Sequence, residues 1–594
     1  MPLGSKKKKG IKRRRPTSVL LDDAVVNLGG GSSVDDCLGE FEQAAATASS
    51  CLLSSTSQND TGEESLSKET KRDPLDNTSR INSNDDDDDF LSSTQLLPLI
   101  GKPSPALHRR QKDRLSNWKA NFGSWQTNGR YISGLLPSFE LELTRHFKVQ
   151  ELSTFLLKAC PQLRMPAFER WLIDAKVEEG VKKKASSLHH EDPILALHAQ
   201  DCPASQRLIQ EIVESDSTVD AEHIVQQLCQ KTTLAAEELS IKARQFAEQC
   251  PLHKGDRIVV EQPRNPSKIK NKSHTKKHRQ VDDHDSNSTL MSLVFHRKRW
   301  KQPFRIKVNA AHYQRLQSAF SQTHGLDPAM SKGKRATIHA FHLIVMTLAL
   351  RYSSLSGGQL LNDLRGGGMQ GAIHGQVFQV LQQELLANRN GHYLVEGFAS
   401  PWNNACTNYA SAFSSDLDFH FGSFGNFLEM RPSRSVNYVC EVNPPFAPAL
   451  MNCMVDHIEQ LVKSADQYET SATFVVVVPT STSSSDVAPA KAFAHDSFQR
   501  IIDSSHCVRH TVLSARDHGY VEGAQHLRPT RYKESQYDTS VVLIMSSRAQ
   551  SDYAISSEKS VLGRLEKRLR KSFASRHLQE LALRKAAAGE VHSD

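Results

Sequence analysis

The sequence CEVNPPFAPALM, residues 440–451, places two prolines and a phenylalanine directly behind an asparagine at the end of an apolar run. Proline fixes its own φ and has no N–H to donate to a sheet ladder. Pro444 and Pro445 therefore end a strand abruptly and hold the following turn rigid. The stretch predicts a buried strand whose carboxyl end is a stiff corner.

Five more short apolar runs bounded by turn residues surround this one. They are HYLVEGFASP (392–401), NYASAFSS (408–415), SATFVVVVPTS (471–481), CVRHTVLSA (507–515) and TSVVLIMSS (539–547). Helical or loop stretches separate them, which is typical of a mostly parallel sheet with helices on both faces. Residues 290–550 are therefore predicted to form an α/β domain, which includes a buried helix over RATIHAFHLIVMTLALRYSSL (335–355).

The rest of the chain divides by composition. Residues 1–110 are poor in aromatics and rich in polar residues, which predicts a disordered tail. Residues 111–262 have apolar side chains at three- and four-residue spacings, which predicts a helical domain. Residues 263–289 read as a basic linker, with RNA phosphate contact as the alternative, and residues 551–594 as a basic amphipathic helix that packs on the core or hangs free.

Clustered positive charge makes nucleic acid the first partner to consider. The net charge is only +8, but KKKKGIKRRRP, Lys6–Pro16, has the density of a nuclear import signal, a non-specific polyanion-binding tail being the alternative. The ten cysteines show no CxxC pair, so no metal site or disulfide framework is indicated. No apolar run approaches the roughly 20 residues that a bilayer-spanning helix needs, so we expect a soluble nuclear protein without a membrane partner.

The rigid corner suits chemistry on an exocyclic amine. In open α/β sheets, ligands bind beyond the carboxyl ends of the strands. Alkylating the 6-amino group of adenine needs two acceptors for the amine hydrogens, and the side-chain oxygen of Asn443 and the carbonyl of Pro444, braced by Pro445, offer them. Phe446 offers a face on which a base can stack. The competing interpretation is a strand-ending turn with a buried phenylalanine.

Several consecutive motifs resemble one family, the cap-specific adenosine methyltransferases first described as factors that bind the phosphorylated tail of RNA polymerase II. The resemblance runs through Glu396–Asn404, Tyr409–Phe427, Cys440–Val462, Phe474–Thr480 and His518–Met545. It implies a Rossmann-like, S-adenosylmethionine-dependent methyltransferase domain. The implied reaction is methylation of the 6-amino group of a 2′-O-methylated adenosine next to the 7-methylguanosine cap of mRNA.

The resemblance also implies roles for particular residues. Asn443, Pro444, Pro445 and Phe446 would form the adenine-holding catalytic loop. The cofactor would be contacted by the segment that ends the first strand, namely Phe398, Ala399, Ser400 and Pro401. Either Asp416 or Asp418 would hold the cofactor's ribose or amino group, as a carboxylate does in dinucleotide folds, with a solvated aspartate pair as the alternative.

The cap and its phosphates need cationic or aromatic partners. Arg305 and Lys307 are candidates for the triphosphate, although strand alternation alone would also expose them. His526, Arg528 and Tyr532 are candidates for the triphosphate or the substrate base, with a packed loop as the alternative.

The five tryptophans include no pair at the spacing of a WW module. Direct docking on the RNA polymerase II C-terminal domain is therefore doubtful on sequence grounds. Three functions remain open at this point: a capped-mRNA adenine methyltransferase, a methyltransferase acting on another amide or amine, and a catalytically silent capped-RNA-binding protein that keeps the fold.

Overall fold

The structure is a computed structural model. It describes residues 98–122, 130–182, 192–197, 199–200, 202–248, 257–261, 290–297, 300, 302–326, 335–358, 371–387, 389–480, 496–521, 532–554 and 559–574. The predicted import signal, most of the predicted tail and the predicted linker at 263–289 lie outside the described residues.

The amino-terminal part is helical apart from a small antiparallel sheet of order β1-β2-β3. Its elements are α1 (Arg109–Phe122), α2 (Arg130–Ala159), α3 (Met165–Lys182), α4 (Pro203–Ser215), α5 (Ala221–Glu248), β1 (Arg257–Glu261), β2 (Leu290–His296), β3 (Phe304–Asn309), α6 (Ala310–His324) and α7 (Arg335–Leu355).

The remaining elements build a six-stranded sheet and its helices. They are α8 (Gly375–Leu385), β4 (His392–Ala399), β5 (Asn408–Ser411), β6 (Asn437–Val442), α9 (Pro448–Gln467), β7 (Ala472–Pro479), α10 (Asp496–Ile502), β8 (Cys507–Leu513), β9 (Gly519–Val521), β10 (Tyr532–Glu534), β11 (Thr539–Met545), α11 (Ser547–Ala554) and α12 (Lys559–Phe573). β9 and β10 form a separate antiparallel pair.

The large sheet has the order β5-β4-β6-β7-β11-β8. β4, β5, β6 and β7 pair in parallel, while β11 is antiparallel to both of its neighbours, β7 and β8. Every residue of β7 and β11 is buried, because helices cover both faces of the sheet. The predicted α/β class with a mostly parallel sheet is confirmed.

Helix α7 forms the centre of the amino-terminal core. Its segment Thr337–Leu355 is long and apolar enough to cross a membrane, so the expectation that no such run exists was wrong. However, 83% of that segment is buried inside the protein. The helix is the buried core helix that its sequence predicts.

One hydrophobic core joins the two predicted blocks. It extends from Phe139 in α2 through α7 to Phe421, beyond β5. The three-stranded sheet likewise combines β1, from the predicted helical domain, with β2 and β3 from the predicted α/β domain. A boundary at 262 therefore does not separate two independent cores, because strand pairing and helix packing both cross it.

Both ends of the described chain pack on the large sheet. Residues 98–110 fall within the predicted disordered tail, yet Ile100 exchanges backbone hydrogen bonds with Ala405 and Thr407 beside β5, and α1 begins at Arg109. At the other end α12 buries Leu565, Leu569 and Phe573 in the core of the sheet. Of the two alternatives for the carboxyl-terminal helix, the structure shows packing on the core.

A chain of alternating charges ties the helices to the loop after β5. Buried Arg351 of α7 pairs with Glu142 of α2 and, at 2.8 Å, with Asp416 in the loop. Glu142 also pairs with Arg145, whose Nε donates to Asp192 at 2.8 Å. The Arg351 guanidinium lies 4.8 Å from the ring centre of Phe413 in the same loop. Arg351 of α7, held by Glu142 of α2, thus fixes the conformation of the loop after β5.

Removing Arg351 tests that link. We expect Arg351→Met to lower the free energy of unfolding by about 3–5 kcal/mol, because it leaves buried Glu142 with one partner fewer. Arg305→Met is the matched control, since the Arg305–Glu261 pair is about half exposed and worth under about 1 kcal/mol. Urea denaturation at neutral pH measures both, and equal losses would contradict the structural role of Arg351.

Candidate active site at the carboxyl edge of the sheet

The strand order creates a crevice beyond the ends of β4 and β6. β5 and β6 flank β4 on opposite sides, so the connections that leave β4 and β6 diverge at this point of the sheet. Such switch points are where open α/β sheets bind ligands. Phe398–Pro401 end β4 and Asn443–Phe446 follow β6, so the structure brings together the two segments that the sequence singled out.

The side-chain amide of Asn443 has a hydrogen-bond partner for its nitrogen but none for its oxygen among the described residues. The residue is 7% exposed, and its Nδ2 donates to the Gly371 carbonyl at 3.3 Å. Its Oδ1 is buried and has no hydrogen-bond partner among the described residues. The described residues also donate no backbone hydrogen bond to the Pro444 carbonyl. A buried acceptor without a partner is costly, which is typical of a site that a ligand completes.

The prolines act as the sequence predicts. The Ala447 amide donates to the Pro445 carbonyl at 2.7 Å, which closes a three-residue turn. Pro448 is then the first residue of α9, a position where its fixed φ suits the helix and its missing N–H costs nothing. The chain therefore passes from strand to helix within a few residues of restricted conformation.

Phe446 is fixed by two tyrosines that the sequence reasoning missed. Its ring centre lies 6.4 Å from that of Tyr520 and 5.8 Å from that of Tyr537, both in T-shaped contacts. The Tyr520 hydroxyl shares a 2.8 Å hydrogen bond with Thr539. Both tyrosines occur in the quoted stretch 518–545, but no periodicity in that stretch predicts their contact with Phe446.

Helix α3 caps the helix that follows the corner. Ala447 precedes α9 and offers no side-chain acceptor to the first-turn amides. Instead, Oδ1 of Asp174 accepts the Ala449 amide at 2.8 Å, while its Oδ2 accepts Arg207 at 2.9 Å. Ile173 packs on Ala447 in the same place. Burial raises the pKa of Asp174 to about 6 despite the neighbouring Arg207.

The segment that ends β4 is committed mainly to its own turn. The Ser400 amide and hydroxyl both donate to Oδ1 of Asn403, at 2.7 and 2.8 Å. Ala399 pairs with Ser411 of β5, and Pro401 is buried in the turn. Phe398 lies 5.1 Å from Phe427, ring centre to ring centre, and packs on the cluster that contains Ala447.

The two candidate aspartates have different surroundings. Asp418 is fully buried and accepts the Tyr352 hydroxyl at 2.8 Å and the Phe413 amide at 3.0 Å. Burial raises the pKa of Asp418 to about 6. The Asp416 side chain is 52% exposed beside Arg351. Asp418 therefore closes the loop from inside, whereas Asp416 is accessible to a ligand.

A pair of buried carboxyl groups beneath the crevice was also missed. Glu396 of β4 and Glu441 of β6 are register partners on adjacent strands. Oε2 of Glu396 accepts the Ala405 and Cys406 amides at 2.7 and 3.0 Å, and burial raises its pKa to about 7. Burial and the charge of Glu396 hold the pKa of Glu441 well above its usual range. Glu396 thus stabilises the turn after β4, whereas Oε1 of Glu441 is buried with no hydrogen-bond partner among the described residues.

Of the five candidates for cap binding, the structure describes the side chains of two, and these lie on the small sheet rather than on the large one. Arg305 and Lys307 lie on the exposed side of β3 in the small sheet, where Arg305 pairs with Glu261. His526 and Arg528 lie outside the described residues. Tyr532 begins β10, but its side chain is outside the description.

Similarity to known proteins is found in the same region of the chain. Residues 315–523 match the family model described as "Phosphorylated CTD interacting factor 1 WW domain". Over this stretch the chain is similar to that family. The matched residues run from α6 to β9 and contain Trp402 as their one tryptophan. The match therefore covers the corner after β6 and every strand of the large sheet except β11.

Two relatives carry the name mRNA (2′-O-methyladenosine-N(6)-)-methyltransferase. The human protein is 29% identical over 218 residues, which are 36% of this chain and 27% of the relative. The mouse protein is 30% identical over 205 residues, which are 34% of this chain and 25% of the relative. The match thus spans about a quarter of the length of either relative.

The Asp174 cap gives a stability test with a pH dependence. At pH 4, below the raised pKa of Asp174, we expect Asp174→Ala to lower the free energy of unfolding by about 1–2 kcal/mol through loss of the cap, and Asp174→Asn, which keeps an acceptor, to lower it less. When a carboxyl group has a higher pKa in the folded state than in the unfolded state, the free energy of unfolding falls as the pH rises between the two pKa values. From pH 4 to 7, wild type should therefore lose up to about 3 kcal/mol relative to the Asn variant.

Chemical denaturation of the three proteins across this pH range is the measurement. Parallel pH profiles for wild type and Asp174→Asn would contradict the assigned burial of the carboxylate. Equal destabilisation by Ala and Asn would contradict the cap.

Proposed function

We propose that this protein transfers a methyl group from S-adenosylmethionine to the 6-amino group of the cap-adjacent 2′-O-methyladenosine of mRNA. The observation that carries the proposal is the pair of acceptors at the corner, Oδ1 of Asn443 and the Pro444 carbonyl, which have no partner among the described residues. The names of the relatives support the same reaction.

The neutral oxygens of the corner suit an amine that is uncharged before methyl transfer and gains positive charge during it. The lone pair of the adenine amino nitrogen is delocalised into the ring, so two hydrogen bonds to its N–H groups help to localise it for attack. As the new N–C bond forms, positive charge grows on the nitrogen, and neutral oxygens fixed beside it stabilise that charge. The extra proton then leaves to water. The Gly371 contact keeps the Asn443 amide from rotating, so Oδ1 is already oriented.

Phe446 would hold the plane of the base. Tyr520 and Tyr537 fix its ring, so stacking on it costs little conformational entropy. Base–aromatic stacking is worth about 1–3 kcal/mol. Acceptors at the edge of the base and a ring on its face together select a flat heterocycle with an amino group.

The residues at the switch point fit the proposed cofactor. When bound, S-adenosylmethionine supplies an electrophilic methyl group. Phe398 packs on the cluster that contains Ala447, and we favour Asp416 for the ribose hydroxyls because its side chain is 52% exposed whereas Asp418 is buried. The chain's own contribution is to align the amine and to exclude water from between it and the methyl donor.

Capped mRNA is the proposed partner and the nucleus the proposed location. The basic stretch Lys6–Pro16 supports the location. Only the description of the matching family supports association with the RNA polymerase II C-terminal domain. The matched residues contain a single tryptophan, whereas a WW module has a pair of them.

Methyl transfer to defined RNAs tests the proposal. Labelled S-adenosylmethionine is incubated with the full chain and with capped RNAs starting with A or G, uncapped RNA, DNA and a glutamine peptide. We expect transfer to capped, A-starting RNA only. Asn443→Ala should lower kcat about 100- to 1,000-fold, as expected for a lost transition-state acceptor. Phe446→Ala should lower kcat/KM about 5- to 150-fold.

Asn390→Ala is the matched control, because Asn390 is exposed in the turn before β4 and away from the crevice. It should retain full activity. Equal labelling of uncapped RNA would contradict cap specificity, and labelling of DNA or peptide would favour another amine substrate. Cap binding without any transfer would favour the silent RNA-binding protein.

A further inference from the structure

A groove of about 950 Å³ lies between α1 and α9. One wall is α1, the floor is the segment 428–432, and the other wall is the second half of α9. Its lining includes the amides Asn117 and Gln460 in addition to charged side chains. The groove is lined by none of the residues assigned above to the adenine or the cofactor.

Positive charge dominates the groove. Among the described residues, four cations line it, namely Arg110, Arg114, Arg431 and Lys463, against the two acids Asp113 and Glu429. Glu429 occupies two of the cations, since Arg114 pairs with its carboxylate and Arg110 donates to its carbonyl.

The other two cations are the accessible ones. Arg431 is exposed, and the side chain of Lys463 is 69% exposed with only a 3.9 Å contact to Glu459. Glu459 itself is held more closely by Arg500, at 2.8 Å. The floor and one wall therefore present charges that a phosphate chain would neutralise.

The groove is connected to the corner through shared elements. Leu428 lines the groove and also packs on the cluster of Ala447 and Leu450, and Ala447 is the residue that follows Phe446 in the chain. α9 starts at Pro448, so His457, the first groove residue on this helix, lies about 14 Å along the helix axis from the corner. A polynucleotide whose first base occupies the corner would reach the groove within a few nucleotides.

We propose that this groove binds the phosphate backbone of the RNA downstream of the methylated nucleotide. The proposal rests on the proposed function and adds a second RNA contact, independent of cap and base. Cations paired with side-chain amides are suited to backbone phosphates and sugars, which carry no sequence information. A phosphorylated peptide would meet the same cations, but continuity with the nucleobase corner favours RNA.

Binding and turnover of RNAs of two lengths test this site. The double variant Arg431→Ala/Lys463→Ala is compared with wild type in fluorescence anisotropy, using capped, A-starting RNAs of about 4 and about 20 nucleotides. For the longer RNA we expect Kd and KM to rise about 5- to 30-fold with kcat unchanged. Because each phosphate contact in a single strand contributes about 0.7 to the salt slope, the slope should fall by up to about 1.4.

For the shorter RNA, affinity should change less than about twofold, since it does not span the groove. Arg548→Ala/Arg564→Ala is the matched control: both arginines are exposed, both pair with a carboxylate, and neither lines the groove. It should leave Kd and the salt slope at wild-type values.

Binding of an uncapped RNA of about 20 nucleotides separates this proposal from the proposed function. The groove variant should bind this RNA more weakly than wild type does, even if no protein in the series transfers a methyl group. Unchanged affinity and salt slope in the groove variant would overturn the site. A phosphoserine peptide whose binding alone depends on Arg431 and Lys463 would assign the groove to a peptide instead.

Discussion

The hydrogen bond from the Ala449 amide to Asp174 joins the helical part of the protein to the corner after β6. Helix α9 must start immediately after four residues of restricted conformation, which leaves no room for a capping side chain of its own. A carboxylate from α3 satisfies the orphan amide and places negative charge at the positive end of the helix. Arg207 in turn holds that carboxylate. The position of Asn443 and Phe446 thus depends on a helix more than 250 residues earlier in the chain.

The loop after β5, on the other side of β4, is likewise held by a charged residue from the helical part of the protein. The loop after β5 carries Asp416, and its conformation is fixed by Arg351 from α7 and, internally, by Asp418. Both loops that border the crevice are therefore oriented by buried charges supplied by the helices. This explains why the helices and the sheet share packing across the predicted domain boundary. The helical part acts as the frame of the site rather than as a separate module.

The sequence predicted the local features of this arrangement well. Short apolar runs predicted the strands, and proline chemistry predicted the corner, because both depend on a few adjacent residues. It could not predict that Asp174 caps α9 or that Glu396 and Glu441 are adjacent, because these contacts join residues far apart in the chain. Asp416 and Asp418 look alike in sequence and differ only in burial. The segment 98–110 looked disordered because its partners, Ala405 and Thr407, are remote.

The central claim is that a proline-braced corner presents two neutral oxygens to the amino group of a stacked adenine. A crystal structure of the full chain with a capped, A-starting oligonucleotide and S-adenosylhomocysteine tests it most directly. The account predicts the adenine on the Phe446 ring, with its amino nitrogen within about 3.2 Å of both Asn443 Oδ1 and the Pro444 carbonyl. An adenine bound elsewhere, or an Asn443 Oδ1 that remains without a ligand contact, would contradict it.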